Sequence, residues 1–285
     1  MVSNLVSTRR LIVGMWVVAA LGALGGLSGC GKKADVAVSK ITIVGSSTIA
    51  PLMSEVAKAF EKANPGVRID VQAGGSSRGV LDVRQGTAQV GMVSRELKAD
   101  EQADLRRVLL AKDGLAMIVH KSNPVKALTK QQVIDIYSGK LTNWRDAGGP
   151  DLPITVVSKA EGRSTLEIFS HYFGLSYKDI KAHVVIGDNQ QGIQTVSGAP
   201  AGIGYVSIGT AEYEAGHGAA IRLVPLDNHV PSTAAVAEGN YPLSRELNLV
   251  FKAEQEAELA GLLKFAQSPA AAELTAKQFF VPVAR

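Results

Sequence analysis

KITIVGSSTIAPLMSEVAKAFEKANPGVRIDVQAGG, residues 40–75, sets one helical pattern between two extended ones. KITIVG and VRIDVQAGG read as strands, and IAPLMSEVAKAFEKAN reads as an amphipathic helix ended by Pro65-Gly66. The same alternation runs on along the chain. VLDVRQG is expected as a short helix, AQVGMVS as a strand, ADEQADLRRVLL as a helix and GLAMIVHK as a buried apolar strand. Asn123-Pro124 marks a break, after which Thr129 and Gln132 form a capping box for the next helix. A second set runs through PITVVS, LEIFSHYFG, HVVIG, NQQGIQTVSG and AGIGYVSI, followed by a strand, LNLVFKA, and the helices EQEAELAGLLKFAQS and AAAELTAKQFF. Such alternation predicts an α/β fold on a mainly parallel sheet.

The N-terminal segment carries Arg9 and Arg10, then the seventeen uncharged residues LIVGMWVVAALGALGGL, then SGC. That is the order of a secretory signal: a basic region, an apolar region and small residues at the cleavage point. Leu27-Ser28-Gly29-Cys30 resembles the bacterial lipoprotein processing box, which makes Cys30 the lipidated first residue of the mature protein and the membrane anchor. Residues 1–29 are then the signal peptide and 30–38 a tether. A membrane-spanning helix is the alternative, since seventeen apolar residues sit at the lower limit for a span.

Without residues 1–29 the chain keeps 256 residues, enough for two compact lobes. Two arginines and no acid leave with them, so the net charge falls from +4 to +2. No Lys/Arg-rich run argues for nucleic acid. With one cysteine and five scattered histidines, neither a disulfide framework nor a metal site is expected.

Three turns share one design: GSST (45–48), GGSSRG (74–79) and EGRST (161–165), each before a helical pattern. Each brings unpaired backbone N–H groups, hydroxyls and the positive end of a helix dipole to one point. Converging, they would bind an oxyanion through neutral donors. Ser and Thr before a helix are also ordinary N-caps, and for a single turn that alternative stands.

The segments quoted above, together with LTKQQVIDIYSGKLTNW (128–144) as the most specific block, resemble the phosphate-binding protein family of bacterial phosphate-uptake ABC transporters over about residues 39–283. The resemblance implies a two-lobed periplasmic-binding-protein fold (type II) with two crossing strands, GLAMIVHK and LNLVFKA. Lobe I would be 39–120 with 247–285, and lobe II 121–246. It implies a monomeric, non-enzymatic protein without cofactor or metal, which captures inorganic phosphate between its lobes and delivers it to an ABC permease in the periplasm or at the cell surface. The family's first ligand turn falls on Ser47, Thr48 and Ile49, and its second on Ser76 and Ser77. Its third falls on Lys159, Glu161, Arg163, Ser164 and Thr165.

Two departures stand out. By that resemblance Lys159 occupies the place of an arginine, and Ser94-Arg95 that of a Ser-Asp pair of many members, whose aspartate accepts the proton of bound phosphate. Lysine cannot reproduce the bidentate fork of arginine, so Arg163 or Arg95 is expected to restore it. Glu161 either accepts the ligand proton and rejects sulfate, or orients Lys159 and Arg163. Arg95-Glu96 could instead be a surface ion pair. Rival functions are the binding of sulfate, molybdate or another oxyanion, phosphate sensing, and a serine hydrolase. The last is disfavoured, because GGSSRG lacks the Gly-x-Ser-x-Gly spacing and no histidine is placed as a base.

Overall fold

The computed structural model describes residues 39–283; the signal segment and the whole tether, with Cys30, lie outside the described residues. In chain order the elements are β1 (Ser39–Gly45), α1 (Ala50–Ala63), β2 (Val67–Ala73), α2 (Ser76–Gln85), β3 (Val90–Val93), α3 (Ala99–Asp104), β4 (Arg106–His120), α4 (Lys130–Tyr137), β5 (Thr155–Lys159) and α5 (Ser164–Phe173). They continue with β6 (Val184–Ile186), α6 (Asn189–Ser197), β7 (Gly202–Ser207), α7 (Ile208–Gly216), β8 (Ile221–Val224), α8 (Thr233–Ala237), β9 (Ser244–Phe251), α9 (Glu256–Ala266), α10 (Pro269–Lys277) and β10 (Val281–Pro282). Among the described residues no helix is long and apolar enough to cross a membrane.

The sheet order is β2-β1-β3-β9-β4-β7-β5-β6. At one end β1 pairs in parallel with β2 and β3. At the other, β5 pairs in parallel with β6 and β7. The two ends are joined by β4 and β9, which run antiparallel to each other with Asp113 opposite Arg245. Beyond that pair β4 changes partners, and residues 115–119 pair with β7.

The core divides at the same place. Ile43, Leu52, Met53, Met92, Leu247 and Leu249 form one buried cluster. Leu115, Tyr137, Trp144, Phe169, Ile203 and Tyr205 belong to another. The fold is therefore two-lobed, with β4 and β9 crossing between the lobes. In the second lobe Phe169 stacks on Tyr205 with ring centroids 4.1 Å apart, and the Tyr205 hydroxyl shares a 2.8 Å hydrogen bond with Ser158. That aromatic cluster fixes the end of β5, where Lys159 stands.

The pattern ADEQADLRRVLL, expected as one helix, departs from this. It is helical only to Asp104; Leu105 turns to φ −118 and ψ 142, and β4 begins at Arg106. The ladder with β9, which pairs Arg106 with Phe251 and Val108 with Leu249, overrides a weak local helix preference. The elements α7, β8, α8 and β10 had no counterpart in the sequence patterns.

Candidate functional site

The three hydroxyl-rich turns come together, and their hydroxyls do not cap. Thr48 sits one position before the N-cap residue Ile49 of α1, Ser76 one after Gly75 of α2, and Ser164 one after Arg163 of α5; none of the three helices has a side-chain cap hydrogen bond. Elsewhere Thr129, Asp188, Ser207 and Ser268 each cap their helices with a side-chain oxygen. The uncapped ends leave first-turn N–H groups and hydroxyls for another partner.

One hydrogen-bond network links the first two turns. Thr48 N donates to Ser46 Oγ (3.2 Å), Ser46 Oγ donates to Ser94 Oγ (2.8 Å), and Ser94 N donates to Ser76 Oγ (3.2 Å). Gly75, at φ +95, makes the sharp approach possible; a Cβ there would stand 2.9 Å from Gly162 O and 3.0 Å from Arg163 Cδ.

The third turn is joined to the first by Arg245. Its Nη2 donates to Thr48 Oγ1 (3.1 Å) and its Nη1 to Thr165 Oγ1 (3.2 Å), while Nε (3.0 Å) and Nη2 (2.7 Å) both donate to Asp113 Oδ2. Asp113 Oδ1 accepts from Gly209 N (3.2 Å). Asn189, the first residue of α6, donates to Thr48 Oγ1 (3.1 Å) and accepts from Lys159 Nζ (3.0 Å). Lys159 is buried. Burial pushes its ammonium down to about 7, and the positive charges of Arg245 and Arg163 add to this, against the pull of Asp188.

The donor count is lopsided. Thr48, Ser76 and Thr165 accept hydrogen bonds and keep their own O–H groups, Lys159 spends one N–H, and the buried Ser164 hydroxyl has no hydrogen-bond partner. Such a set matches an oxyanion, whose unprotonated oxygens only accept.

The other expected residues are placed differently. Arg95 does not restore the missing fork: Nη1 and Nη2 grip Glu101 at 2.7 and 2.8 Å, and Nε faces Glu167 at 2.9 Å. It is buried, so the surface ion pair with Glu96 is not its arrangement either. Ser77 Oγ donates to Glu167 Oε1 (3.2 Å). Ile49 is buried and gives its N–H to Ser46 O (3.2 Å). Ser47 is half-buried. Glu161 is exposed and makes no side-chain hydrogen bond or ion pair, so it orients neither Lys159 nor Arg163. Arg163 is half-buried beside Gly75 and Gly187 and likewise has neither. Sequence reasoning missed Arg245, Asp113, Asn189 and Ser46. Among the described residues, no group of three His, Cys, Asp or Glu could hold a metal ion.

A crossed pair of strands between two α/β lobes, with a polar buried seam at the crossing, defines a two-lobed solute-binding protein. The PBP superfamily domain matches residues 31–270. The phosphate-binding protein PstS of Pseudomonas aeruginosa is 30% identical over 287 residues, which cover 88% of this chain and 85% of that one. The solved structure of a substrate-binding protein with bound phosphate from Clostridium perfringens is 33% identical, with a TM-score of 0.80 over 86% of this chain and 100% of that one. The phosphate-binding protein PstS 2 of Streptococcus pneumoniae is 41% identical over 105 residues, and that match spans only 36% of its length. The chain belongs to the PBP superfamily and, within it, to the family of phosphate-binding proteins of ABC transporters.

Proposed function

We propose that this protein captures inorganic phosphate at the seam between its lobes and delivers it to an ABC-type permease. The observation that carries the proposal is the donor-rich, buried cluster of Thr48, Ser76, Lys159, Ser164 and Thr165, drawn from three uncapped helix ends and the end of β5. The family supports the same reading, since both the Pseudomonas relative and the Clostridium structure are described by phosphate. The lobes divide at the crossing of β4 and β9 near Asp113 and Arg245, earlier on β4 than residue 120 because residues 115–119 already pair with β7, and closure brings donors of both onto one anion. The protein acts as a monomer in the periplasm or at the cell surface, held to a bacterial membrane by a lipid on Cys30. It binds rather than hydrolyses. Among the described residues, no histidine is hydrogen-bonded to a serine or threonine of the cluster: His120 bonds to Ser122, His183 to Val156 N and His217 to Tyr213 O.

One observation favours a second reading, sulfate or a similar fully ionised anion. The buried carboxylate beside the cluster, Asp113, already accepts from Arg245 and Gly209, and Glu161 is exposed. An acceptor for a phosphate proton would have to be a hydroxyl oxygen such as that of Ser164. Calorimetric titration of the purified protein with phosphate, sulfate and molybdate separates the readings. Phosphate is expected to bind at least tenfold tighter than the other two. Tighter sulfate binding would give the second reading, and no binding of any of the three would remove both.

A further inference from the structure

We propose that Arg245 supplies the guanidinium of the anion site, the planar fork that Lys159 cannot offer, and that Asp113 is its positioning residue. The inference rests on the oxyanion reading above and names the residue through which that site takes hold. Three observations carry it.

Arg245 is buried and touches both sides of the seam, Thr48 through Nη2 and Thr165 through Nη1. By donating into these two oxygens it leaves each O–H free and turned away from itself, toward an acceptor. Its nitrogens have made four hydrogen bonds, and a guanidinium has five N–H groups, so one on Nη1 is unspent.

Asp113 fixes that arrangement across the strand pair. It faces Arg245 in the β4–β9 ladder, and both charged nitrogens nearest the stem bond to one carboxylate oxygen. A guanidinium held in this way is pre-organised for an oxyanion, where a free lysine would be a mobile point charge. The pair also lies where β4 and β9 pass between the lobes. An anion held by Arg245 is therefore anchored to the crossing strands themselves, and each lobe closes onto it with its own threonine.

The surroundings fit access by a small anion. A cleft of about 680 Å³ reaches Arg245, lined by Lys98 and Lys112 and also by the carboxylates Glu96, Glu167 and Glu246. Nearest the hydroxyls, Arg245 is countered by Asp113, and the buried Lys159 feels the charges of Arg245, Arg163 and Asp188.

The test uses the purified full chain, phosphate as ligand, and calorimetry in parallel with thermal unfolding of the ligand-free protein. Arg245→Lys keeps the charge and loses the fork; phosphate affinity is expected to fall by about 10- to 150-fold, the range for losing a charge-assisted hydrogen bond. Arg245→Gln combined with Asp113→Asn removes both charges, keeps the fold, and is expected to lose at least about a hundredfold by the same arithmetic. Asp113→Asn alone gives a test by sign. Coulomb attraction alone would make phosphate bind tighter once a carboxylate is gone, whereas loss of positioning makes it bind more weakly, and weaker binding is expected. Phosphate binding within threefold of wild type in the folded double variant would overturn the role of Arg245. Tighter binding in Asp113→Asn would overturn the role of Asp113. Failure of the wild type itself to bind phosphate, with sulfate bound instead and lost in the same variants, would refute the phosphate reading and leave Arg245 in place.

Discussion

Arg95 and Arg245 are equally buried, at 6% exposure each, yet the molecule uses them in opposite ways. Arg95 has two carboxylates for one guanidinium, Glu101 in a bidentate grip and Glu167 reaching from the other lobe. Its charge is more than neutralised, and nothing remains to attract an anion. Arg245 has one carboxylate, Asp113, and two neutral hydroxyls, with the buried Lys159 nearby. Burial does not separate the two arginines; the ratio of carboxylates to cations around each does. It also assigns separate tasks: Arg95 holds lobe I together and touches lobe II, while Arg245 faces the seam.

The largest effect should come from Arg95→Met. Glu101 would be left buried without its partner, which costs about 3–5 kcal/mol of stability. Urea unfolding reads this directly. Phosphate affinity of the folded fraction should fall less than tenfold; if instead stability hardly moved and binding vanished, the contrast between the two arginines would be wrong.

Next in size is Thr165→Val. Removing a hydroxyl that accepts from Arg245 and has its own O–H to give should weaken phosphate at least tenfold, in line with about 1.5–3 kcal/mol for a charge-assisted bond. Unchanged affinity would place the third turn away from the ligand.

Lys159 should then add a pH dependence. Its ammonium titrates near 7 in the free protein because burial disfavours the charge. A nearby anion favours the charged form, so the bound state has the higher value. Below pH 7 the lysine is already protonated and binding takes up nothing; above it, binding takes up a proton and affinity falls as pH rises, by up to about tenfold per unit. Calorimetry in buffers of different ionisation enthalpy should give proton uptake at pH 8 that is smaller in Lys159→Met. Equal uptake in both proteins would rule out this linkage.

The smallest effect concerns Glu167 on α5. It is approached from lobe I by Arg95 at 2.9 Å, Lys98 at 3.6 Å and Ser77 at 3.2 Å, and its side chain is 29% exposed. A half-solvated latch of this kind holds about 1 kcal/mol or less. Glu167→Gln should speed phosphate release by up to about fivefold with little change in the association rate. A stopped-flow experiment in which association slowed instead would show that Glu167 steers ligand rather than holding the lobes.

What was legible in the sequence was local. Thr48, Ser76 and Thr165 could be found because a hydroxyl next to a helix start is a short-range pattern, and Thr129 with Gln132 did form the expected capping box. Whether those hydroxyls cap or stay free was not legible, since the same residue types serve both ends; the shift by one position from the cap residue appears only in three dimensions. Arg245 was missed because its partner Asp113 lies 132 residues away. A signal was present. Continuing the period-two face of Leu247, Leu249 and Phe251 backwards puts Arg245 on the inward side of the crossing strand, where a charge demands a partner. The assignment of a ligand fork to Arg95 failed for the complementary reason: Glu101 and Glu167 approach it from two different helices, and no spacing rule joins them. Residues 106–110 read as helix because a run of Arg, Val and Leu has no clear period, and the pairing with β9 decided the matter.

The most direct measurement is a crystal structure of the protein at saturating phosphate. The account predicts the anion at the seam, within hydrogen-bond distance of Arg245 Nη1 and of the hydroxyls of Thr48 and Thr165, with the Arg95–Glu101 pair undisturbed. Phosphate bound against Arg95 with Glu101 displaced, or bound with Arg245 still facing only Asp113 and the two threonines, would contradict it.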